Sequence, residues 1–118
     1  MVNTFFHLST CNSCKKTMKS LSLPNSFNKI NIKENPITKI QLKELYNYTK
    51  SYEKLINKRS QLYTKRKIKN IELKDNDFKH LLLEHYTFLK RPLMFYNNKL
   101  YIGDSEKIIE ELQKDLNE

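Results

Sequence analysis

The stretch "FHLSTCNSCKKTMKSL", residues 6–21, contains both cysteines of the chain, Cys11 and Cys14, with two residues between them. An apolar, aromatic run precedes the pair, and Met18 and Leu21 follow it at helical spacing. The cysteines are therefore predicted at a strand-to-helix junction. Such a pair could be a structural disulfide, half of a metal site, two inert buried thiols or a reactive dithiol.

The composition argues against the first two of these alternatives. A chain of 118 residues with 38% hydrophobic residues can bury a core without a staple, whereas disulfide-stapled domains are usually small, secreted and cysteine-dense. A zinc site needs four ligands, and the pair supplies two; His80 and His85 are five apart and do not share a helical face. We expect no metal, and inert buried cysteines stay an open alternative.

The position of Cys11 favours the reactive alternative. A helix N-terminus presents unpaired N–H groups and a partial positive charge, which stabilise a thiolate. With Lys15 and Lys16 nearby, the pKa of Cys11 should be lowered, so Cys11 attacks and Cys14 resolves. His7 is either an imidazolium that further stabilises the thiolate or simply the buried end of a strand, and its spacing does not separate the two.

The charge of the chain suggests what could approach the thiols. Twenty-two Lys and Arg against thirteen Asp and Glu give a net charge of +9, which favours anionic partners. The basic residues are dispersed and no nucleic-acid recognition motif is present, so we do not expect nucleic acid as a partner. The N-terminal apolar run is too short for a signal peptide or a membrane span, so we expect a cytoplasmic protein with no membrane association.

Arginine is rare in this lysine-rich chain. It occurs only at Arg59, Arg66 and Arg91. A guanidinium binds oxyanions in a bidentate geometry that a lysine cannot reproduce, which hints at such a role, although Arg66 is expected to face solvent.

The pattern of the whole chain predicts an α/β protein. Strands are predicted at residues 2–8 and around 27–32, on either side of a helix at 12–22. Thr38 then begins a helix, and a shorter helix follows near residues 51–57, with residues 58–71 hard to assign. Asp75 or Asn76 can cap the next helix, which runs to about Tyr86. Two short strands joined at Asn97-Asn98 and a helix over residues 105–116 complete the order β-α-β, helices, β-β-α.

Five blocks carry a resemblance to a known family. In order, they are "HLSTCNSCKK", "NPITKIQLKEL", "KRSQLY", "LKRPLMFYNNKLYIG" and the closing helix. Together they resemble the ArsC/Spx family of arsenate reductase-like, thioredoxin-fold proteins over nearly the whole chain. The resemblance implies a thioredoxin-like sheet in a single domain, residues 1–118, with a helical insertion at about 37–90. It also implies a cis peptide bond before Pro92, facing the cysteine loop.

The same resemblance implies an activity. In the family's arsenate reductases, the cysteine matching Cys11 attacks arsenate, the histidine matching His7 stabilises its thiolate, and arginines matching Arg59 and Arg91 hold the oxyanion. No cofactor is bound, and glutathione with glutaredoxin completes the reduction. Lys15, which stands where those enzymes typically have arginine, is assigned to substrate binding with Arg59 and Arg91.

Departures from the reductase pattern open a second interpretation. Asp104 stands near the expected third arginine, which disfavours arsenate, and Lys107 could substitute in part. Cys14 replaces a serine, so a Cys11–Cys14 disulfide could replace the glutathione step, with thioredoxin as another possible donor. The resemblance therefore implies a thiol-disulfide oxidoreductase acting on a small oxyanion or a disulfide with a redox partner protein. The alternative is an Spx-type redox-sensing regulator that binds the RNA polymerase α subunit, although residues 37–91 lack the glycine usual in those regulators.

Overall fold

The computed structural model describes residues 1–118 and contains four strands and five α-helices. In chain order they are β1 (Thr4–His7), α1 (Asn12–Ser20), β2 (Asn28–Asn31), α2 (Lys39–Thr49), α3 (Gln61–Lys65), α4 (Asp75–Glu84), β3 (Leu93–Tyr96), β4 (Lys99–Ile102) and α5 (Glu106–Leu116). Short 3₁₀ turns lie at Glu53–Leu55, Ile68–Asn70 and Tyr86–Phe88. The predicted α/β class is confirmed.

The chain divides into two compact units. Residues 1–35 and 91–118 form the sheet unit, which contains all four strands with α1 and α5, and residues 36–90 form the helical unit. The helical unit coincides within one residue with the insertion predicted at 37–90. That the chain acts as a single domain stays a prediction.

The sheet has the strand order β2-β1-β3-β4, with β1 in the interior. β1 runs parallel to β2, pairing Thr4 with Asn28, and antiparallel to β3, pairing Phe6 with Leu93. β3 and β4 form an antiparallel hairpin. The parallel pair and the hairpin are those predicted from the β-α-β and β-β-α order.

The core of the sheet unit lies between the sheet and its helices. Its buried members are Phe5, Leu21, Phe27, Met94, Tyr101 and Leu112. Along α5, Ile108, Ile109 and Leu112 recur at helical spacing, so one face of this helix packs on the core.

The β3–β4 hairpin turns at the two predicted asparagines. Asn97 and Asn98 have φ values of 50° and 63°, the left-handed conformation that two-residue hairpin turns require and that asparagine tolerates. Gly103, with φ of 88°, follows the second strand at a position that a larger residue would adopt only with strain.

The helix predicted to begin at Thr38 is present in the helical unit as α2, with Thr38 as its N-cap. Its hydroxyl accepts the Gln41 backbone N–H at 3.1 Å, and the Gln41 side chain accepts the Thr38 backbone N–H at 3.0 Å. The predicted cap of α4 at Asp75 or Asn76 is wrong by one residue, because Lys74 is the N-cap. The Asp75 carboxylate instead accepts backbone N–H groups of the preceding 3₁₀ turn, from Tyr52 at 2.9 Å and Glu53 at 3.1 Å.

Other element boundaries also differ from those predicted. β1 is shorter than residues 2–8, the helix expected at about 51–57 is only a 3₁₀ turn, and α4 ends at Glu84 instead of about Tyr86. The unassigned residues 58–71 contain α3 and a 3₁₀ turn. No helix in the chain is both long enough and apolar enough to span a membrane.

Candidate active site

The loop between β1 and α1 presents Cys11 at the start of a helix. Cys11 is the N-cap of α1 in an extended conformation, and its backbone N–H donates to the Leu8 carbonyl at 2.9 Å. Its own carbonyl accepts the Lys15 N–H at 3.2 Å, which begins the helical ladder. The Cys11 side chain is therefore next to the N–H groups that a helix leaves unpaired in its first turn.

The two thiols lie in different environments. Cys11 is partly exposed, Cys14 is fully buried on the inner face of α1, and no disulfide joins them. Burial, with a contribution from the neighbouring Cys11, raises the pKa of Cys14 to about 12. A hydrogen bond from the Leu8 backbone acts in the opposite direction. Burial also tends to raise the pKa of Cys11, but the backbone and side chain of Cys14 and the Arg91 guanidinium outweigh it, so this pKa is lowered.

Arg91 supplies positive charge to the Cys11 sulfur. The antiparallel register, which pairs Phe6 with Leu93, brings the residues just before β3 beside those just after β1. The Arg91 guanidinium acts on Cys11 both through a hydrogen bond and through its charge. The Arg91–Pro92 peptide bond is cis, as the family resemblance implies.

His7 ends β1 and is partly buried. Burial and then the charge of Lys29 lower the pKa of its imidazole, against a smaller opposing effect of Glu34. Its Nδ1 atom is buried without a hydrogen-bond partner. An imidazole with a lowered pKa is mainly neutral at pH 7, so the positive charge acting on Cys11 comes from Arg91. A catalytic role for His7 stays a prediction.

The remaining predicted site residues are exposed. Lys15 lies in the first turn of α1, and Asp104 and Lys107 lie on either side of the α5 N-cap, Ser105. The substrate-binding role of Lys15 and the effect of Asp104 stay predictions. No group of three or more His, Cys, Asp or Glu side chains is arranged to hold a metal ion.

Arg59 belongs to the helical unit. It is exposed, and its backbone N–H donates to the Asn57 side chain at 3.1 Å. It lines a cavity of about 580 Å³ together with Lys54, Lys58 and Lys90, a lining rich in positive charge. Its predicted binding of an oxyanion at the cysteine site stays a prediction.

Arg66 faces solvent in part, as predicted, and is engaged within the helical unit. Its guanidinium contacts the Glu84 carboxylate at 2.6 Å and lies 5.6 Å from the centre of the Phe88 ring. These contacts give Arg66 a structural role that the sequence pattern does not reveal.

Asn31 supports the cysteine loop and was missed by the sequence analysis. Its side-chain oxygen accepts the backbone N–H groups of Ser9 at 3.4 Å and Lys33 at 3.3 Å. Because β1 and β2 are parallel, both end at the same edge of the sheet, which places Asn31 beside the loop. A polar residue at the end of the second strand of a β-α-β unit is the signal that could have identified it.

Comparisons with known proteins agree with this fold. The ArsC family model matches residues 6–112. The global transcriptional regulator Spx of Streptococcus agalactiae is 30% identical over 105 residues, covering 87% of this chain and 77% of that protein. The regulatory protein MgsR of Bacillus subtilis is 29% identical over 102 residues, which cover 85% of this chain and 81% of MgsR.

Solved structures show the same fold at lower identity. The arsenate reductase of Vibrio cholerae superposes with a TM-score of 0.73 at 17% identity, covering 95% of this chain and 98% of that one. The four-stranded sheet is accordingly a thioredoxin-like sheet. With the family model extending from the end of β1 into α5, across both cysteines and Arg91, this chain belongs to the ArsC family.

Proposed function

We propose that this protein is a thiol-disulfide oxidoreductase of the arsenate reductase-like class, with Cys11 as nucleophile and Cys14 as resolving thiol. The observation that carries the proposal is the opposite direction of the two pKa shifts. Arg91 and the helix N-terminus favour a thiolate at Cys11, while burial keeps Cys14 protonated. A pair with one thiol that favours the thiolate and one that stays protonated suits two-step disulfide exchange.

The first step forms a mixed disulfide. The Cys11 thiolate attacks one sulfur of a disulfide substrate, a new S–S bond forms, and the other substrate sulfur leaves as a thiolate. Cys14 then loses its proton and attacks the Cys11 sulfur, which breaks the mixed bond and releases the second substrate thiol. Two electrons pass from the protein dithiol to the substrate, and a Cys11–Cys14 disulfide is left for a donor dithiol to reduce.

The environment of Cys14 supports this order of events. Part of the rise in its pKa comes from the neighbouring Cys11. Once Cys11 is bonded to the substrate, its negative charge is gone, so the pKa of Cys14 falls. The hydrogen bond from the Leu8 backbone favours the thiolate that then forms. The first step thereby makes Cys14 a better nucleophile for the second.

An oxyanion substrate would use the same atoms. Arsenate would lose one oxygen, as water, on forming a bond from arsenic to Cys11, and attack of Cys14 on the Cys11 sulfur would leave the electron pair on arsenic as arsenite. Arg91, with Arg59 and Lys15, would hold the oxygens. The negative charge of Asp104 opposes this substrate, so we rank a disulfide above arsenate. The proposal places the reaction in the cytoplasm with no bound cofactor, and with glutathione and glutaredoxin or thioredoxin as donor.

The second candidate is a redox-sensing transcriptional regulator of the Spx type. What favours it is identity: Spx and MgsR relatives are 29–32% identical to this chain, against 17% for the Vibrio cholerae arsenate reductase. In this role the same Cys11–Cys14 disulfide would change binding to the RNA polymerase α subunit without turnover.

Steady-state assays separate the two candidates. Turnover is measured with arsenate and, separately, with a small-molecule disulfide, each with glutathione and glutaredoxin or with thioredoxin as donor. We expect Cys11→Ser to abolish turnover and Cys14→Ser to accumulate a mixed disulfide visible by mass spectrometry. Lys19→Ala, an exposed change in the last turn of α1, is the matched control and should behave as the unchanged protein.

Each outcome decides between specific alternatives. Turnover that survives Cys11→Ser contradicts the proposed enzyme. Absence of turnover with every donor, together with α-subunit binding that changes on oxidation, establishes the regulator instead.

A further inference from the structure

A second candidate site lies in the helical unit, away in sequence from the cysteines. It is a groove of about 350 Å³ lined by Arg66, Ile68, Ile71, Leu73, Asp77 and Leu81. These residues come from the end of α3, the following 3₁₀ turn and α4. None of them is a candidate active-site residue, so the groove needs an explanation of its own.

The floor of the groove is apolar and partly exposed. Ile68 is buried, Leu73 and Leu81 are half-buried, and Ile71 is 55% exposed. Covering an isoleucine that is more than half exposed beside an apolar cavity makes a favourable contribution to the free energy of binding a partner. The volume is at the low end of ligand pockets, about 300–1,000 Å³, and suits one or two apolar side chains.

The two charged residues of the lining already have partners. Arg66 is held by Glu84 at 2.6 Å and by the Phe88 ring, and the Asp77 carboxylate accepts the Lys74 backbone N–H at 2.8 Å. The charge of Arg66 is therefore offset by Glu84, and Asp77 adds one negative charge to the lining. Net positive charge must come from other residues.

Exposed lysines next to the lining residues supply that charge. Lys65, Lys67, Lys69 and Lys74 are each adjacent in the chain to a lining residue, and all four are exposed. Between residues 65 and 74 the only carboxylate is Glu72. The stretch of residues 65–74 therefore carries more positive than negative charge, which complements an acidic partner.

We propose that this groove and its lysines form a docking surface for an acidic protein segment that carries one or two large apolar side chains. A nucleic acid would use the lysines and leave the apolar floor uncovered. A second copy of this chain fits poorly, because its acidic helix, α5, already packs Ile108, Ile109 and Leu112 on the core of the sheet unit. An acidic segment with an apolar anchor uses both features at once.

Fluorescence anisotropy with the full chain tests the proposal. The probe is a short fluorescein-labelled peptide of aspartate and glutamate residues around one leucine and one phenylalanine. Comparison probes are the same peptide with serine at both apolar positions and a mixed-sequence DNA duplex. We expect the first peptide to bind most tightly and its affinity to fall as salt rises from about 0.05 to about 0.5 M.

Two changes to the groove separate its apolar and charged parts. Ile71→Ser should weaken binding of the first peptide about tenfold, the effect of losing one buried apolar contact. The double change Lys65→Glu and Lys69→Glu should weaken binding and reduce its dependence on salt. Ile40→Ser and Lys39→Glu are matched exposed controls on α2 and should leave binding unchanged, with circular dichroism confirming that each variant is folded.

Several results would overturn the proposal. They are the absence of peptide binding, equal binding of the serine peptide, tighter binding of the DNA, and an equal loss of affinity in Ile71→Ser and Ile40→Ser. Dimerisation of the chain that Ile71→Ser abolishes, measured by sedimentation, would assign the groove to self-association instead.

Discussion

Selective alkylation of one thiol is the sharpest consequence of the candidate site. When the reduced protein is treated with iodoacetamide at pH 8, we expect Cys11 to be modified first, with Cys14 largely unmodified at early times. Only the thiolate reacts, so the rates follow the ionised fraction of each thiol, its nucleophilicity and its exposure.

The pKa of Cys14 sets the size of the difference. With a pKa of about 12, about one Cys14 in 10,000 is ionised at pH 8. A thiol with the ordinary pKa of 9.0 is ionised in about one molecule in ten, and the pKa of Cys11 is lower than that. The ionised fractions therefore differ by about 1,000-fold or more.

Nucleophilicity offsets part of this difference. A thiolate gains reactivity with pKa at a slope of about 0.4–0.5, so three pKa units return a factor of about 20 to Cys14. About 50-fold remains in favour of Cys11. The complete burial of Cys14 adds to it, since a thiol with no exposed surface cannot meet the reagent without local opening.

Mass spectrometry of peptides from quenched time points measures both rates. In concentrated urea the two cysteines lose their environments and should react at similar rates, which serves as the control. Similar rates in the folded protein, or faster modification of Cys14, would refute the assignment of Cys11 as nucleophile.

Three further changes test the contacts around this site and within each unit. Arg91→Met should raise the pKa of Cys11, so alkylation begins at higher pH, and Arg91→Lys should shift the same iodoacetamide profile less because it keeps the charge. Asp75→Ala leaves two backbone N–H groups without their acceptor and should lower the free energy of unfolding in urea by about 1–2 kcal/mol, with a smaller loss for Asp75→Asn. Burial and Asp115 raise the pKa of Tyr101, so above pH 10 the folded state keeps a phenol proton that the unfolded state loses. The free energy of unfolding should therefore fall above pH 10, and Tyr101→Phe should make that fall shallower in urea titrations.

The order of elements could be predicted from the sequence because each element is locally consistent. Thr38 caps its helix through its own neighbours, and Asn97 and Asn98 adopt the positive φ values for which asparagine is suited. The position of Cys11 follows in the same way, since it depends only on where a strand ends and a helix begins.

What could not be predicted depends on contacts between residues far apart in the chain. Asp75 resembles a helix cap, but its carboxylate binds the backbone more than twenty residues earlier. The effect of Arg91 on the Cys11 sulfur depends on the register of two antiparallel strands. The pKa of His7 depends on its burial and on Lys29, which pattern and spacing do not show.

The interior position of β1 has a consequence for how the protein is made. On one side β1 can pair early with β2, which aligns Thr4 with Asn28. Pairing on the other side, which aligns Thr4 with Phe95, requires β3. The helical unit is continuous in the chain, and its last residue leaves the ribosome before β3 does. During synthesis both cysteines therefore emerge long before Arg91, and Cys11 gains the hydrogen bond and the charge of Arg91 only when the second half of the sheet is in place.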